Sequence, residues 1–507
     1  MSITTEQHIA PSITAETFAL LQQENITLKS ENLYLHQELK KLKRMIFGSK
    51  SERFESSQHP LQLTLEMNTE VIATPTPETE TVSYEREKKG KQKKSIPTRM
   101  PLPSHLPRVE EIIEPKEDIT EARKIGEEIT ELLEYAPGRL YVKKIIRPKY
   151  IIEQKDKQEK VITIGELPSM PIPRGNAGPG LLAHIIISKY VDHLPFYRQI
   201  QQFKREDIEI ASSTINDWFN ASCRLLQPLY DKLIQESLKT DYLMGDETPI
   251  SVLTDDKPGA THKGYLWVYY SLLHRMVLFD YEKGRSGEYP KKILENYRGT
   301  FQTDGYAGYN KLEQSGKITL NACMAHARRY FDQAKDNDPD RANHVLSLIQ
   351  KLYIVEREAR ELTMDAEQRK ALRLKKSSPL MNEFEQWLQE NINQVFPKSA
   401  IGKAIAYTVS LWPRLMRYLD DGRFEIDNNL IENSIRPVAL GRKNYLFAGS
   451  HEGAERAAMM YSFIGTCKLN NVEPFGWLEY VLKNISEHKA NRLTELLPNS
   501  SIFPRLK

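Results

Sequence analysis

The sequence predicts a multidomain α and α/β protein: an N-terminal coiled coil, a small β-rich module, a helical module that is helix-turn-helix-like, and a ribonuclease-H-like catalytic core with a helical insertion. Three observations predict it. Leucine recurs every seven residues near the N-terminus, strand-like and helical segments alternate in a set order after residue 239, and a long charged helical stretch divides that region in two.

The heptad comes first along the chain. Leu21, Leu28, Leu35 and Leu42 fall at one seam position, and Phe18, Asn25, Asn32, Leu39 and Ile46 at the other. Leucine at d with asparagine at two a positions suits a parallel pair, because each buried amide meets its symmetry mate and fixes the register. Glu24, Glu31 and Glu38 at g face Lys29, His36 and Lys43 at e of the partner helix. Residues 16–48 therefore read as a homodimerising coiled coil, with a lone amphipathic helix docked on its own chain as the alternative.

Residues 55–107 are Pro, Thr, Ser and Glu rich, then basic. Arg86 to Arg108 holds eight Lys or Arg, one acid and four prolines, so this stretch reads as a disordered basic linker that buries no core. Lys88, Lys89, Lys91, Lys93 and Lys94 are either merely solvated or neutralise DNA phosphates. Residues 108–168 alternate β-branched and charged positions and predict a small β-rich module. Residues 175–238 predict helices over Leu181–Lys189, Pro195–Phe203 and Ser212–Leu226, with a spacing like a helix-turn-helix. Its last helix would offer Ser213, Thr214 and Asn216 to a major groove, unless they only cap the helix start.

From 239 to 336 the order is three meandering strands (Tyr242–Gly245, Tyr265–Leu272 and Met276–Tyr281), a helix (Ser286–Tyr297), a strand (Gly299–Thr303), a further strand (Ile318–Cys323) and a helix (Ala325–Lys335). This order is that of a ribonuclease-H-like fold. It places Asp246 at the end of the first strand beside Asp304 at the end of the fourth, where Gly305, Ala307 and Gly308 leave room for something to approach the backbone. Glu432, near the start of a later helix, would complete the cage. Hard oxygen ligands suit Mg²⁺ or Mn²⁺ rather than zinc, and two such ions about 3.5–4 Å apart serve phosphoryl transfer. Any one of these acids alone is more simply a solvated cap or an ion-pair partner.

The gap from Asp304 to Glu432 is 432 − 304 = 128 positions, against 304 − 246 = 58 between the aspartates. Residues 337–420 therefore read as a helical insertion, 421–490 as the second part of the core with the Glu432 helix, and 491–507 as a C-terminal tail. Arg436, Arg442 and Lys443 could clamp phosphates, or pair with Glu425 or Asp427. Cys323 and His326 have a ligand-like C-x-x-H spacing with no second pair, which reads as a buried cysteine and a satisfied histidine.

Several segments resemble the transposases of the insertion sequence 66 family. They are Gly245-Asp-Glu-Thr-Pro, Lys263-Gly-Tyr-Leu-Trp-Val-Tyr, Thr303-Asp-Gly-Tyr-Ala-Gly-Tyr-Asn, Cys323-Met-Ala-His-Ala-Arg-Arg-Tyr-Phe, Asp427-Asn-Asn-Leu-Ile-Glu-Asn and Gly441-Arg-Lys-Asn-Tyr-Leu-Phe-Ala-Gly-Ser. The resemblance extends to Met45-Ile-Phe-Gly-Ser-Lys-Ser-Glu-Arg-Phe, Pro101-Leu-Pro-Ser-His-Leu-Pro-Arg and Ile125-Gly-Glu-Glu-Ile. It implies that Asp246, Asp304 and Glu432 are an Asp-Asp-Glu triad working with Mg²⁺, and that the insertion helps to shape the DNA channel. Members of that family often carry a cysteine zinc module just before the Ile-Gly-Glu-Glu motif. This chain has Glu114-Pro-Lys-Glu-Asp-Ile-Thr there, so a degenerate module without structural zinc is expected.

Composition sets the remaining bounds. A net charge of +3 gives no global basic field, three cysteines lie far apart, and no apolar run reaches a membrane-spanning length, which predicts a reduced, cytoplasmic protein with no membrane partner. The expected activity is DNA transposition: hydrolysis at the ends of an element, then strand transfer by the freed 3′-hydroxyl. Its partners would be element-end and target DNA, a second copy or a higher synaptic oligomer, and accessory proteins of the element. The competing readings are a dimeric DNA-binding regulator with an inactive nuclease fold and a stand-alone structure-specific nuclease.

Overall fold

A computed structural model describes residues 169–506 apart from 174 and 255–258, the backbone of two strands within 149–164, and a few helical residues between 24 and 35. The chain divides into two units, 51–167 and 1–50 together with 168–507. In the first unit, β1 (Lys149–Gln154) pairs antiparallel with β2 (Glu159–Ile164), Lys149 opposite Ile164.

The second unit is built on a mixed five-stranded sheet. The strands are β3 (Tyr242–Leu253), β4 (Thr261–Ser271), β5 (Met276–Glu282), β6 (Gly299–Thr303) and β7 (Ile318–Ala322), in the order β5-β4-β3-β6-β7. The first three form an antiparallel meander, and β6 and β7 add in parallel. Aromatic and β-branched residues make these runs strands, and Leu243, Trp267, Phe279 and Phe301 are buried because helices cover the sheet. This mixed α/β core is consistent with a ribonuclease-H-like fold.

Three helices precede it: α1 (Pro179–Tyr190), α2 (Phe196–Arg205) and α3 (Ser212–Ser237). The last does not stop at Leu226. Leu229, Tyr230 and Leu233 continue its buried stripe, and the Tyr230 hydroxyl donates to the Phe279 carbonyl of β5. Between β5 and β6 the helix expected over Ser286–Tyr297 shrinks to α4 (Glu288–Ile293); the short α5 (Asn310–Glu313) precedes β7 and α6 (Met324–Gln333) follows it.

Residues 337–420 form α7 (Pro339–Glu361), α8 (Ala366–Asn391) and α9 (Ala400–Met416). Their starts are written locally. Asp338 accepts from the Arg341 amide ahead of Pro339, Asp365 and Gln368 make a capping box, and Ser399 accepts from the Gly402 amide. Val345, Leu352, Phe384, Ile405 and Trp412 join Phe331 of α6 in one core. Within it Arg373, fully buried, donates to Glu356 at 2.7 Å and to the carbonyls of Tyr418, Asp421 and Phe424. Arg369 bridges Glu356 and Glu425. The excursion closes where the Met324 amide donates to the Ile426 carbonyl at 3.0 Å.

Three helices and a coda complete the unit: α10 (Asn429–Tyr445), α11 (His451–Leu469) and α12 (Pro474–Asn484). Thr466 and Ser462 of α11 accept from the Val277 and Phe279 amides, so the open edge of β5 is satisfied and closed to further strands. The segment read as a tail folds back: Leu496, Leu497 and Phe503 are buried, and the Trp477 indole donates to the Leu496 carbonyl.

Of the heptad residues, Asn25, Leu28, Asn32 and Leu35 are helical, and Leu28 and Leu35 stand 57% and 64% exposed in the single chain. Leu21, Leu39, Leu42 and the lysines 88, 89, 91, 93 and 94 lie outside the described residues. Among the described residues no helix is long and apolar enough to cross a membrane.

Candidate active site

Asp246 is the fifth residue of β3 and not its end, a correction to the sequence expectation: Ile250 and Val252 carry the strand on, paired with β4 throughout. What ends there is the neighbour. Parallel β6 pairs with β3 only over Tyr242–Met244, so past Gln302 the sheet opens beside Asp246. Gly245 is required at the preceding position, where a Cβ would lie 2.0 Å from the Phe301 ring. The Asp246 Oδ1 accepts the Glu247 amide at 2.7 Å.

Asp304 follows β6 directly, and its Oδ1 accepts the Tyr306 amide at 2.8 Å in an Asx turn. Gly305 has φ +88°, which an L side chain rarely adopts. The space expected beside this glycine is filled by the protein itself. A Cβ there would meet Leu411 Cδ1 at 2.5 Å, and the Tyr407 hydroxyl of the same helix, α9, donates to the Asp304 carbonyl at 2.6 Å.

Glu432 lies in the first turn of α10. Three elements hold that start. The Asn428 amide donates to Cys323 Sγ at 3.2 Å, its side-chain amide reaches the Gly245 carbonyl at 3.4 Å, and Asp427 accepts from Asn429 and from the Tyr353 hydroxyl of α7.

The acids act on one another electrostatically. Burial, then Glu247, then Asp304 and Glu432 push the Asp246 carboxyl up to about 8. Glu247, its side chain 2% exposed, is raised by burial too, and is held by Arg285 and by the Tyr309 hydroxyl at 2.6 Å. Arg285 lies over the Tyr306 ring at 4.0 Å, so this fourth carboxylate braces the Asp304 turn. Arg329 Nη2 stands 4.0 Å from Glu432 Oε1.

Among the described residues, no three His, Cys, Asp or Glu side chains stand close enough to hold one ion. The donor set nonetheless fits a hard divalent cation: all oxygen, with one member kept protonated by burial and its neighbours, a cost that a cation relieves.

The other candidate residues are scattered. Arg436 and Lys443 are exposed on α10, whereas the Arg442 guanidinium is spent on the Pro249 carbonyl of β3. Glu425 and Asp427, the acids offered as their partners, are occupied by Arg369, Tyr353 and Asn429. Ser213 and Asn216 are exposed and Thr214 half-buried at the start of α3; the Asn216 amide turns back to the Ser212 carbonyl, and the capping position is Ala211, with no side-chain cap.

Cys323 is buried as expected, its thiol pushed up to about 12 by burial first. His326 is not satisfied: its Nδ1 is shut off from solvent without a hydrogen-bond partner. Burial, then Arg329, hold its imidazole below the usual value against the opposing pull of Asp304, Glu432 and Asp427. Glu247 could have been found beside Asp246 in the motif. Tyr407 carries no sequence signal, since only the folded insertion brings it here, whereas Arg329 stands in the Cys323-Met-Ala-His-Ala-Arg-Arg-Tyr-Phe segment and could have been found there.

Residues 174–456 match the family described as Transposase IS66 family, 34–110 match Transposase C of IS166 homeodomain, and 462–499 match the IS66 C-terminal element. The chain is similar to two proteins of Sinorhizobium fredii with only the names uncharacterized protein y4hP and y4jD. The first is 33% identical over 497 residues, 92% of this chain and 88% of that protein; the second is 32% identical over 488 residues, 92% and 94%. A short stretch is 51% identical over 49 residues to uncharacterized protein YuaK of Escherichia coli, covering 10% of this chain and 52% of that protein.

Proposed function

The chain belongs to the IS66 family of transposases, phosphoryl-transfer enzymes of the Asp-Asp-Glu type, and from that premise we propose that Asp246, Asp304 and Glu432 are its triad and the ends of an insertion sequence its substrate. What supports this reading is that Asp304 and Glu432, borne on separate elements, both act electrostatically on the buried Asp246 carboxyl. These three side chains would hold Mg²⁺ or Mn²⁺, one ion or two. When bound, such ions supply Lewis-acid activation of the attacking oxygen and stabilisation of the leaving one.

The chain's own residues do the rest. β3 and α10 fix two carboxylates on rigid elements, and the Tyr407 hydroxyl fixes the turn that bears the third. Arg436 and Lys443 lie along the exposed face of α10, where they would contact backbone phosphates and position the duplex. Water breaks a phosphodiester at the element end, forming a 5′-phosphate and a free 3′-hydroxyl. That hydroxyl then displaces a 3′-oxygen of target DNA in line, exchanging one P–O bond for another.

The remaining modules serve the same reading: residues 16–48 pair two chains, 55–107 tether them and add phosphate contacts through Lys88, Lys89, Lys91, Lys93 and Lys94, and Ser213, Thr214 and Asn216 face a groove. The boundaries of the β-rich module, the insertion at 337–420 and the flanking core segments are proposed with it.

The test uses duplexes from the DNA on either side of the coding region, with Mg²⁺. Cleavage and strand transfer are expected. Asp246→Asn, Asp304→Asn and Glu432→Gln should each lower both by more than about a hundredfold, the upper end of what outer-shell partners of a metal cost, while end binding persists. Strand transfer retained in any of the three overturns the triad. Cleavage without strand transfer selects the nuclease, and binding without cleavage the regulator.

A further inference from the structure

One face of α6 borders the carboxylates. His326 and Arg329 sit three residues apart on that helix, so they share a face, and Arg329 acts electrostatically on His326. Arg329 Nη2 lies 4.0 Å from Glu432 Oε1, with the two side chains 52% and 33% exposed. Such a pair is long and solvated, and holds only weakly.

Its surroundings set it apart from an ordinary surface pair. Nδ1 of His326 is buried and makes no hydrogen bond, so this wall has an unused polar atom. The wall itself is held firmly against the site: Tyr330 of α6 stacks on Tyr407 with centroids 4.3 Å apart, and the Tyr407 hydroxyl holds the Asp304 carbonyl. Arg329 is therefore a half-exposed cation on a fixed support, within reach of Glu432.

We propose that Arg329 is a phosphate-binding residue that stands in for a metal: in the DNA-free protein its guanidinium engages Glu432, and a backbone phosphate of bound DNA takes it over, leaving Glu432 to complete the divalent-cation site. The inference rests on the triad assignment above. A guanidinium presents a planar fork that two phosphate oxygens fill, whereas it now meets one carboxylate oxygen at long range, so the exchange favours the phosphate. DNA and metal then bind with positive coupling, because each removes the same competing contact. The free protein would carry an incomplete metal site, and the cutting machinery would assemble on DNA.

The test is Mn²⁺ binding to the full chain, followed by electron paramagnetic resonance of the free ion, with and without a short duplex. Without DNA, Arg329→Gln should bind Mn²⁺ roughly fivefold more tightly than wild type, the release expected from an exposed ion pair, and Arg329→Lys should stay near wild type. The duplex should tighten Mn²⁺ binding to wild type but not to Arg329→Gln, and should itself bind Arg329→Gln more weakly. A Glu432→Gln variant separates the two claims. If it binds Mn²⁺ as wild type does, the triad assignment fails. If it loses binding while Arg329→Gln matches wild type with and without DNA, the triad stands and the role of Arg329 is overturned. Because Arg329 is half-exposed, the lysine variant keeps the comparison valid should the glutamine variant misfold.

Discussion

Asp246 and Asp304 stand in the same register as the strands that carry them. β3 and β6 pair with Tyr242 opposite Thr300 and Met244 opposite Gln302, an offset of 302 − 244 = 58, and 304 − 246 is again 58. The ladder itself ends two residues short of the aspartates, so Asp246 is still inside its strand while Asp304 has entered the turn just beyond the end of its own. Neighbouring strands lie about 4.8 Å apart, a span that shared cations bridge readily.

That closeness gives a pH signature. The folded Asp246 carboxyl sits at about 8 against its usual 3.8, so between those values the folded chain keeps a proton that the unfolded chain has released. Stability of the metal-free protein should fall as pH rises through this window, and Asp246→Asn should lessen the slope; Asp280, pushed up to about 7 by burial, supplies a separate part. Mg²⁺ binding at pH 7 should expel a proton. Calorimetry in two buffers of different ionisation heat measures it, and a buffer-independent heat contradicts the assignment.

Gly305→Ala should destabilise the protein by about 1–3 kcal/mol, the cost of a non-glycine residue in a disfavoured backbone region. The new methyl would also meet Leu411 at 2.5 Å. Activity should fall further than stability alone explains, because the Asp304 turn moves with it. Urea unfolding and cleavage assays together check this; wild-type values in both would show that the turn tolerates a side chain.

Arg373→Ala should cost about 3–5 kcal/mol, since Glu356 would be left with Arg369 alone and the carbonyls of Tyr418, Asp421 and Phe424 would lose their donor. Although burial pushes the Glu356 carboxyl up, Arg373 and Arg369 hold it below its ordinary value. Pairing the change with Glu356→Gln should restore part of the loss. A double variant no more stable than the single one would show that the carboxylate is not the source of the cost.

The heptad yields a further test. Residues 1–55 should be dimeric by light scattering at micromolar concentration. Asn25→Leu with Asn32→Leu should tighten association and loosen its stoichiometry, whereas Leu28→Pro with Leu35→Pro should release the pair. A monomeric fragment, with full-length proline variant still joining paired ends, would remove the coiled coil from the mechanism.

Much of the core was legible in the sequence. The aromatic runs of β4 and β5, Gly299–Thr303 and the helical character of 337–420 are local patterns, and local patterns are what a sequence displays. The end of β3 was misjudged because the polar triplet Asp246-Glu-Thr looks like a terminus, although β4 pairs through it to Leu253. The role of Gly305 was misjudged for the opposite reason. Its partner Leu411 is more than a hundred residues away, and no spacing announces it. The contact of Arg442 with the Pro249 carbonyl was hidden in the same way, because that carbonyl belongs to a strand across the site. Partners distant in the chain, backbone for β3 and side chains for the rest, decided each of these points.

The hydrogen bond from Met324 to Ile426 means that the hundred-residue excursion leaves and re-enters the core at one point. An insertion with adjoining ends leaves its host little changed when it grows or shrinks, in the way that domain insertions are tolerated where chain ends lie together. Among relatives, the outer parts of α7 and α8 are therefore free to drift in length. Selection would bear instead on the positions that lean back on the site, Tyr407 and Leu411 of α9, Tyr353 of α7 and Arg369 of α8.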